Sequence, residues 1–311
     1  MDMICNILLI VIGFILLMKG ADFFVDGAAS VATRMGIPQI VVGLTIVAFG
    51  TSAPEAAISI GSAIRGSNGI SIGNVLGSNV MNILLILGIT ACIRTLHVKK
   101  STVRIDIPFM LGVSLLLLIL GVVQVHLNLF TGIVFWILLI AFVAYLIVYS
   151  KKNGASEDVE TKELAVWQIL LFIVGGLAAI VLGSDITVDG ATAVAKILGV
   201  DDRIIGLTVV AFGTSLPELV TSVTAARKGN ADIAVGNIVG SNIFNILFVL
   251  GTTCLIRTVT FGSQFLIDGL VTVGAAALLW LCVLPKKELI RSGGILMLVC
   301  YGAYFVYLLL A

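Results

Sequence analysis

Residues 20–95 of this chain align with residues 183–258 at one constant offset of 163, without a gap, and about half of the aligned positions are identical. Whatever the first segment builds, the second must build again. Asp22 pairs with Asp185 and Asp26 with Asp189, the run from Val47 to Ser52 returns as Val210 to Ser215, and Gly77-Ser78-Asn79 returns as Gly240-Ser241-Asn242. With 59% hydrophobic residues, 11% charged residues and a mean hydropathy of +1.19, the chain lies far outside the range of soluble domains. It reads as a polytopic membrane protein with the lipid bilayer as its main partner.

A spanning helix needs about 20 mostly apolar residues. Ten such segments can be drawn, at 4–30, 39–64, 70–92, 106–124, 129–149, 164–194, 203–226, 233–255, 265–284 and 292–310. The first and sixth are overlong, as in helices that tilt or extend past the hydrocarbon. Equivalent points of the two copies are separated by five spans, an odd number, so the copies enter the membrane from opposite faces. The expected fold class is therefore an all-α polytopic membrane protein, ten transmembrane helices arranged as two inverted five-helix repeats. One half covers residues 1–150 and the other 164–311, joined by the hydrophilic linker 151–163, with the most similar segments at about 39–92 and 203–255.

Alternate loops then lie on opposite faces, and the cations choose between them. One face collects Arg34, Arg94, Lys99, Lys100, Arg104, Lys151, Lys152, Lys162, Arg227, Lys228, Lys286, Lys287 and Arg291. The other has only Arg65, Lys196, Arg203 and Arg257, with Lys19 inside the first span. The positive-inside rule makes the first face cytoplasmic, so the linker is cytoplasmic and both termini are extracellular, in a multi-pass protein of the cell membrane. Short cationic clusters between apolar runs mark loops rather than a nucleic-acid surface. Cys5, Cys92, Cys254, Cys282 and Cys300 are odd in number, sit in or beside apolar runs and lack CxxC spacing, so they read as small hydrophobes. The start, MDMICNILLIVIGFILLMKG, reads as a retained first span, since it has no basic leader and no small-residue cleavage site.

Within the copies, VAFGTSAPEAAIS (47–59) and VAFGTSLPELVTS (210–222) set a proline and a glutamate at membrane depth. Pro54 has no N–H for the carbonyl of Gly50, and Pro217 leaves Gly213 likewise, so each helix loosens and frees backbone oxygen. A carboxylate at the bilayer centre costs about 3 kcal/mol on insertion scales. Two at symmetric positions imply a cation that offsets the cost. The hydroxyls of Thr51 and Ser52 and the carboxylate of Glu55, with loosened carbonyl oxygen, form an all-oxygen set suited to Ca²⁺ or Na⁺. A kink with a protonated glutamate would leave the duplication of every polar neighbour unexplained.

The companion motifs, IGNVLGSNVMNILL (72–85) and VGNIVGSNIFNILF (235–248), place Gly73 and Gly77, and Gly236 and Gly240, as GxxxG faces for close helix approach. Four-residue steps align Asn74, Ser78 and Asn82 on one stripe and Asn237, Ser241 and Asn245 on its counterpart. The i and i+4 acids Asp22 and Asp26, like Asp185 and Asp189, could draw cations, but the simpler reading puts them where an overlong helix leaves the membrane. His97 and His126 lie at span edges and read as interfacial rather than as proton relays. The linker's acids read as part of a plain connector, not a calcium sensor. No HExxH motif offers a water-activating metal site, which speaks against an enzyme.

These paired motifs resemble the alpha repeats of the cation/calcium exchanger superfamily, in its sodium/calcium exchanger branch. GTSAPE and GTSLPE, with GNVLGSN and GNIVGSN, carry the match across both halves; the proton/calcium branch has a different motif around its glutamate. The resemblance implies ion ligation by Thr51, Ser52, Glu55, Ser78 and Asn82, and by Thr214, Ser215, Glu218, Ser241 and Asn245, with backbone carbonyls from Ala48 and Ala211. It implies no cofactor, Ca²⁺ and Na⁺ as cargo, and first and sixth helices that slide against the other eight to alternate access. Asn245 stands where several relatives, among them potassium-dependent exchangers, carry Asp, and Asn82 is neutral too. Glu55 and Glu218 alone balance one Ca²⁺ or two Na⁺. A third Na⁺ on the flanking oxygens would make exchange electrogenic at three Na⁺ per Ca²⁺; exchange of H⁺ or another cation for Ca²⁺ is the alternative on the same fold.

Overall fold

The computed structural model describes residues 3–64, 68–153, 164–199 and 211–310. In chain order its helices are α1 (Met3–Met35), the pair α2 (Gln39–Thr51) and α3 (Ala53–Ile64), α4 (Gly69–Ile93), α5 (Thr102–Gln124), α6 (Leu129–Asn153) and α7 (Val166–Ile197). A second pair follows, α8 (Ala211–Thr214) and α9 (Leu216–Arg227), then α10 (Ala231–Ile256), α11 (Phe265–Val283) and α12 (Arg291–Leu310). Eight of these helices are long and apolar enough to cross a membrane, and a ninth span forms if α2 and α3, bent by 50°, count as one. Residues 203–210 of the seventh expected span, residues 154–163 of the linker, and Arg65 and Arg203 lie outside the described residues.

The first helix runs to Met35 rather than ending near residue 30. Gly36 stops it with φ of +63°, and Gly199 does the same after α7 with φ of +76°, a backbone region that glycine enters without a Cβ penalty. The two glycines are 163 residues apart, so the copies end their long helices by one device. α1 and α7 run antiparallel with their backbones almost touching. A Cβ on Gly20 would lie 2.8 Å from the carbonyl oxygen of Gly176, and one on Gly13 2.8 Å from that of Gly183. Gly13 and Gly176 also obey the 163 offset, so the structural duplication begins before residue 20.

Buried at the centre are α4 and α10, with 72% and 89% of their apolar windows enclosed, against 17% for the peripheral α12. α10 reaches α2 through its GxxxG face: a Cβ on Gly236 would meet the Gly43 Cα at 3.0 Å, and one on Gly240 the Leu44 Cα at 2.8 Å. The residues that would meet Gly73 and Gly77 in the equivalent crossing, Gly206 and Leu207, lie outside the described residues. Widened π-helical turns occupy Met81–Leu87 and Asn245–Leu250, equivalent places in the two central helices. Such turns shift the hydrogen-bond ladder and redirect side chains, and are frequent at functional sites.

Two short antiparallel pairs close the ends of the bundle. β1 (Leu96–His97) pairs with β4 (Glu288–Leu289), and β2 (His126–Leu127) with β3 (Val259–Thr260). Arg34 donates to the Leu164 carbonyl, Arg94 to those of Ala226 and Arg227, and Lys99 lies 2.8 Å from Asp232. These contacts join the first loop to the fifth and the third to the seventh and ninth; the β2–β3 pair joins the fourth to the eighth. None of these contacts pairs an odd-numbered loop of the expected spans with an even-numbered one.

Candidate functional site

Each hinge delivers a carboxylate from the first turn after a break. Ser52 (φ −83°, ψ 8°) and Ser215 (φ −95°, ψ 4°) occupy the bridge region between helix and strand, and α3 and α9 restart with Glu55 and Glu218 near their N-termini. A helix N-terminus favours negative charge there. Both glutamates are fully buried. The copies cross-link at this depth: Ser52 Oγ donates to Glu218 Oε1 at 2.9 Å, and Ser215 Oγ to Glu55 Oε1 at 3.4 Å. Ser241 Oγ lies 3.5 Å from Glu218 Oε1 and 3.4 Å from the carbonyl oxygen of Ala48.

The central helices bring four asparagines together. Asn79 and Asn242 exchange bonds, each side-chain Nδ2 donating to the other's backbone carbonyl at 3.2 Å. Asn82 Nδ2 donates to Asn242 Oδ1, and Asn245 Nδ2 to Asn79 Oδ1, both at 3.1 Å. After all these bonds, Glu55 Oε2, Glu218 Oε2, Asn82 Oδ1 and Asn245 Oδ1 remain buried without a hydrogen-bond partner. A buried acceptor left unpaired costs about 1 to 3 kcal/mol, more if charged. These four form symmetry-related pairs, and a cation beside them would satisfy each. Among the described residues no three His, Cys, Asp or Glu side chains gather. The donor set is instead carboxylates, amides and hydroxyls, all oxygen, which fits a hard cation.

Not every residue of the expected stripes faces this place. Asn74 Nδ2 donates to Ser59 Oγ at 2.9 Å and to the Glu55 carbonyl at 3.3 Å; Asn237 does the same toward Ser222 at 2.9 Å and Glu218 at 3.4 Å. Thr51 Oγ1, a single donor, faces Asn237 Oδ1 at 2.9 Å and the Val47 carbonyl at 3.1 Å, which leaves its lone pairs for a cation. These residues brace α3 and α9. The freed carbonyl of Gly213 is taken by Ser184 Oγ at 2.7 Å, so it is not left over for an ion. Ala48, Ser52, Ser78, Ser215 and Ser241 are buried and Thr214 half-buried; Ala211 opens α8, its side chain outside the described ones.

Sequence reasoning missed Asn79, Asn242 and Ser184. The two asparagines carried a signal, identity at the 163 offset, but they lie off the four-residue stripe. Gly69-Ile70-Ser71-Ile72-Gly73 has the GxSxG spacing of hydrolases. In the structure Ser71 Oγ donates to the Ser59 carbonyl at 2.6 Å from inside a buried helix, so it braces α3 and is no nucleophile. Beside the first hinge an apolar groove of about 620 Å³ is lined by Phe24, Phe49, Trp136, Phe244 and Phe248, and none of the unpartnered oxygens opens into it.

Outside the site, Lys228 Nζ on the loop after α9 lies 2.7 Å from Asp26 Oδ1 and 3.4 Å from Asp22 Oδ1. That pairing places both acids of α1 at the end of the bundle, not among the glutamates. His97 meets Glu288 at 3.1 Å and His126 meets Thr260 at 3.3 Å, both at strand pairs.

A family model described as sodium/calcium exchanger protein matches residues 5–148 and 167–310. The sodium/calcium exchanger MaX1 of Methanosarcina acetivorans is 32% identical over 346 aligned positions, covering 97% of this chain and 98% of that protein. The inner membrane protein YrbG of Escherichia coli is 34% identical over 289 positions, covering 88% of each. A solved structure of the sodium-calcium exchanger NCX_Mj, soaked with zero Na⁺ and Ca²⁺, superposes with a TM-score of 0.87 at 32% identity, covering 99% of this chain and all of the other.

Proposed function

Because this chain belongs to the sodium/calcium exchanger protein family, whose members are transporters and not enzymes, we propose that it exchanges Na⁺ for Ca²⁺ across the cell membrane by alternating access. The observation that carries the reading is the set of four buried, unpartnered oxygens on Glu55, Glu218, Asn82 and Asn245. Ca²⁺ takes six to eight oxygen ligands. The four oxygens, with the buried hydroxyls of Ser52, Ser78, Ser215 and Ser241, reach that number; Thr51, Thr214 and the carbonyls of Ala48 and Ala211 complete the proposed set.

The same reading takes the chain as ten spans in two inverted halves, 1–150 and 164–311, with the linker cytoplasmic and both termini outside. The segregation of loops and the excess of Lys and Arg on one face support it. Two carboxylates neutralise one Ca²⁺, whereas three Na⁺ leave one positive charge, so exchange is electrogenic. A Na⁺ gradient imposed on proteoliposomes should drive ⁴⁵Ca²⁺ uptake without a pH gradient. Uptake that follows only an imposed H⁺ gradient would instead assign the chain to proton/calcium exchange.

A further inference from the structure

We propose that Asn79 and Asn242 are positioning residues that fix which end of the Asn245 and Asn82 amides faces the transported cation; this rests on the reading of the site as a cation site. A carboxamide has two orientations, one presenting oxygen to a cation and the other a repulsive NH₂. Backbone carbonyls only accept. Because Asn79 Nδ2 must donate to the Asn242 carbonyl, Asn79 Oδ1 is left as an acceptor, and only the NH₂ end of Asn245 can satisfy it. Asn245 Oδ1 is thereby turned away and stands buried with no partner. The mirror chain runs from Asn242 through Asn82.

Each ligand amide is held by a residue of the opposite copy, on the two most enclosed spans, α4 and α10. Four bonds of 3.1 to 3.2 Å lock both amides at once. The lock also accounts for the neutral residues at 82 and 245. A carboxylate there has no N–H, so it would set oxygen against the Oδ1 of Asn79 or Asn242.

Equilibrium ⁴⁵Ca²⁺ binding and Na⁺-driven ⁴⁵Ca²⁺ uptake with the purified full chain test this through a mutant cycle. Loss of an outer-shell partner typically costs 10–100-fold in metal affinity, so Asn79→Ala should raise half-saturating Ca²⁺ by about tenfold or more, with a smaller effect on the rate at saturation. In an Asn245→Ala background the same change should cost less than about twofold, because no amide remains to orient. Asn242→Ala and Asn82→Ala should repeat the pattern. Losses that multiply in the double variants would overturn the proposal, as would failure of both single alanine variants to fold, which would make the asparagines structural. Unchanged affinity in Asn79→Ala and Asn242→Ala, with binding lost in Glu55→Gln, overturns the positioning role alone. Full affinity in Glu55→Gln and Glu218→Gln removes the site reading and this proposal with it.

Discussion

The two hinges carry almost the same sequence and are not in the same condition. Glu218 Oε1 accepts from Ser52 at 2.9 Å with Ser241 at 3.5 Å, while Glu55 Oε1 accepts from Ser215 at 3.4 Å. Ser184 on α7 caps the Gly213 carbonyl of the second hinge, and the residue 163 positions earlier on α1 is Ala21, which has no hydroxyl. Gly50 instead rests near the ring of Phe24, where a Cβ would come within 3.1 Å. A duplicated sequence in an inverted fold predicts equal hinges only for a state in which both faces are alike. Part of this inequality follows from Ser184 against Ala21; on the proposed alternating-access reading the rest belongs to a state open to one side, and exchanging the roles of the copies gives the other.

The largest expected effect tests whether the hinges are chemically equivalent despite that difference. Truncating one partner of a buried charge contact costs 2 kcal/mol or more, and about 3 kcal/mol corresponds to roughly a hundredfold. Glu55→Gln and Glu218→Gln should each reduce Na⁺-driven ⁴⁵Ca²⁺ uptake by at least that order with normal expression, since one Ca²⁺ needs both charges. A loss confined to one variant would break the equivalence.

Next in size is the response to membrane potential, which follows from what the copies share, neutral Asn82 and Asn245. Moving one charge through 100 mV is worth about 2.3 kcal/mol, a shift of roughly fiftyfold in the equilibrium calcium ratio. With equal Na⁺ on both sides of a proteoliposome, a potassium-diffusion potential should draw Na⁺ into the negative compartment and expel Ca²⁺ from it. Calcium that ignores the potential would mean two Na⁺ per Ca²⁺ and no third sodium.

The duplication explains why so much could be read before the structure. Eight of the expected spans reappear as apolar helices and a ninth as the bent pair at Ser52, because the bilayer imposes length and hydropathy on each span independently. Glu55, Glu218, Asn82 and Asn245 were visible as repeated polar residues at apolar depth. Helical spacing gives a face and not a depth or a partner, however. Asn74 and Asn237 share a stripe with Asn82 and Asn245 yet brace the hinge helices, and Asn79 and Asn242, one face over, make the inter-copy lock. Ser184 was illegible for another reason: its partner is a backbone carbonyl 29 residues away, and no side-chain pattern reports that.

Ser184 also gives the third prediction, which sharpens the contrast between hinges. Ser184→Ala leaves the buried Gly213 carbonyl without this hydroxyl, at about 1 to 3 kcal/mol. The purified protein should unfold a few degrees lower on heating. A second-hinge state no longer favoured by that bond should also shift the balance of the two access states, read as altered accessibility of a cysteine placed at Asn153 or Asn128. An unchanged midpoint would show that the cap does not distinguish the hinges.

The smallest effect belongs to the acids that the sequence left between two readings. Lys228 links the loop after α9 to Asp26 at 2.7 Å and to Asp22 at 3.4 Å; the Asp22 side chain is 46% exposed and that of Asp26 14%. Ion pairs open to water are worth about 0.2 to 1 kcal/mol and are weakened by salt. Asp22→Asn should therefore keep exchange within about fivefold of wild type, with a deficit that shrinks at high ionic strength. Asp26→Asn should cost more than Asp22→Asn, because its contact is shorter and better shielded. At the 163 offset Lys228 corresponds to Arg65, outside the described residues, and the paired acids correspond to Asp185 and Asp189. If the inverted copies share this tie, Asp189→Asn should exceed Asp185→Asn in the same ratio. Complete loss of ⁴⁵Ca²⁺ flux in Asp22→Asn, at normal expression, would move that residue from the rim of the bundle onto the ion path.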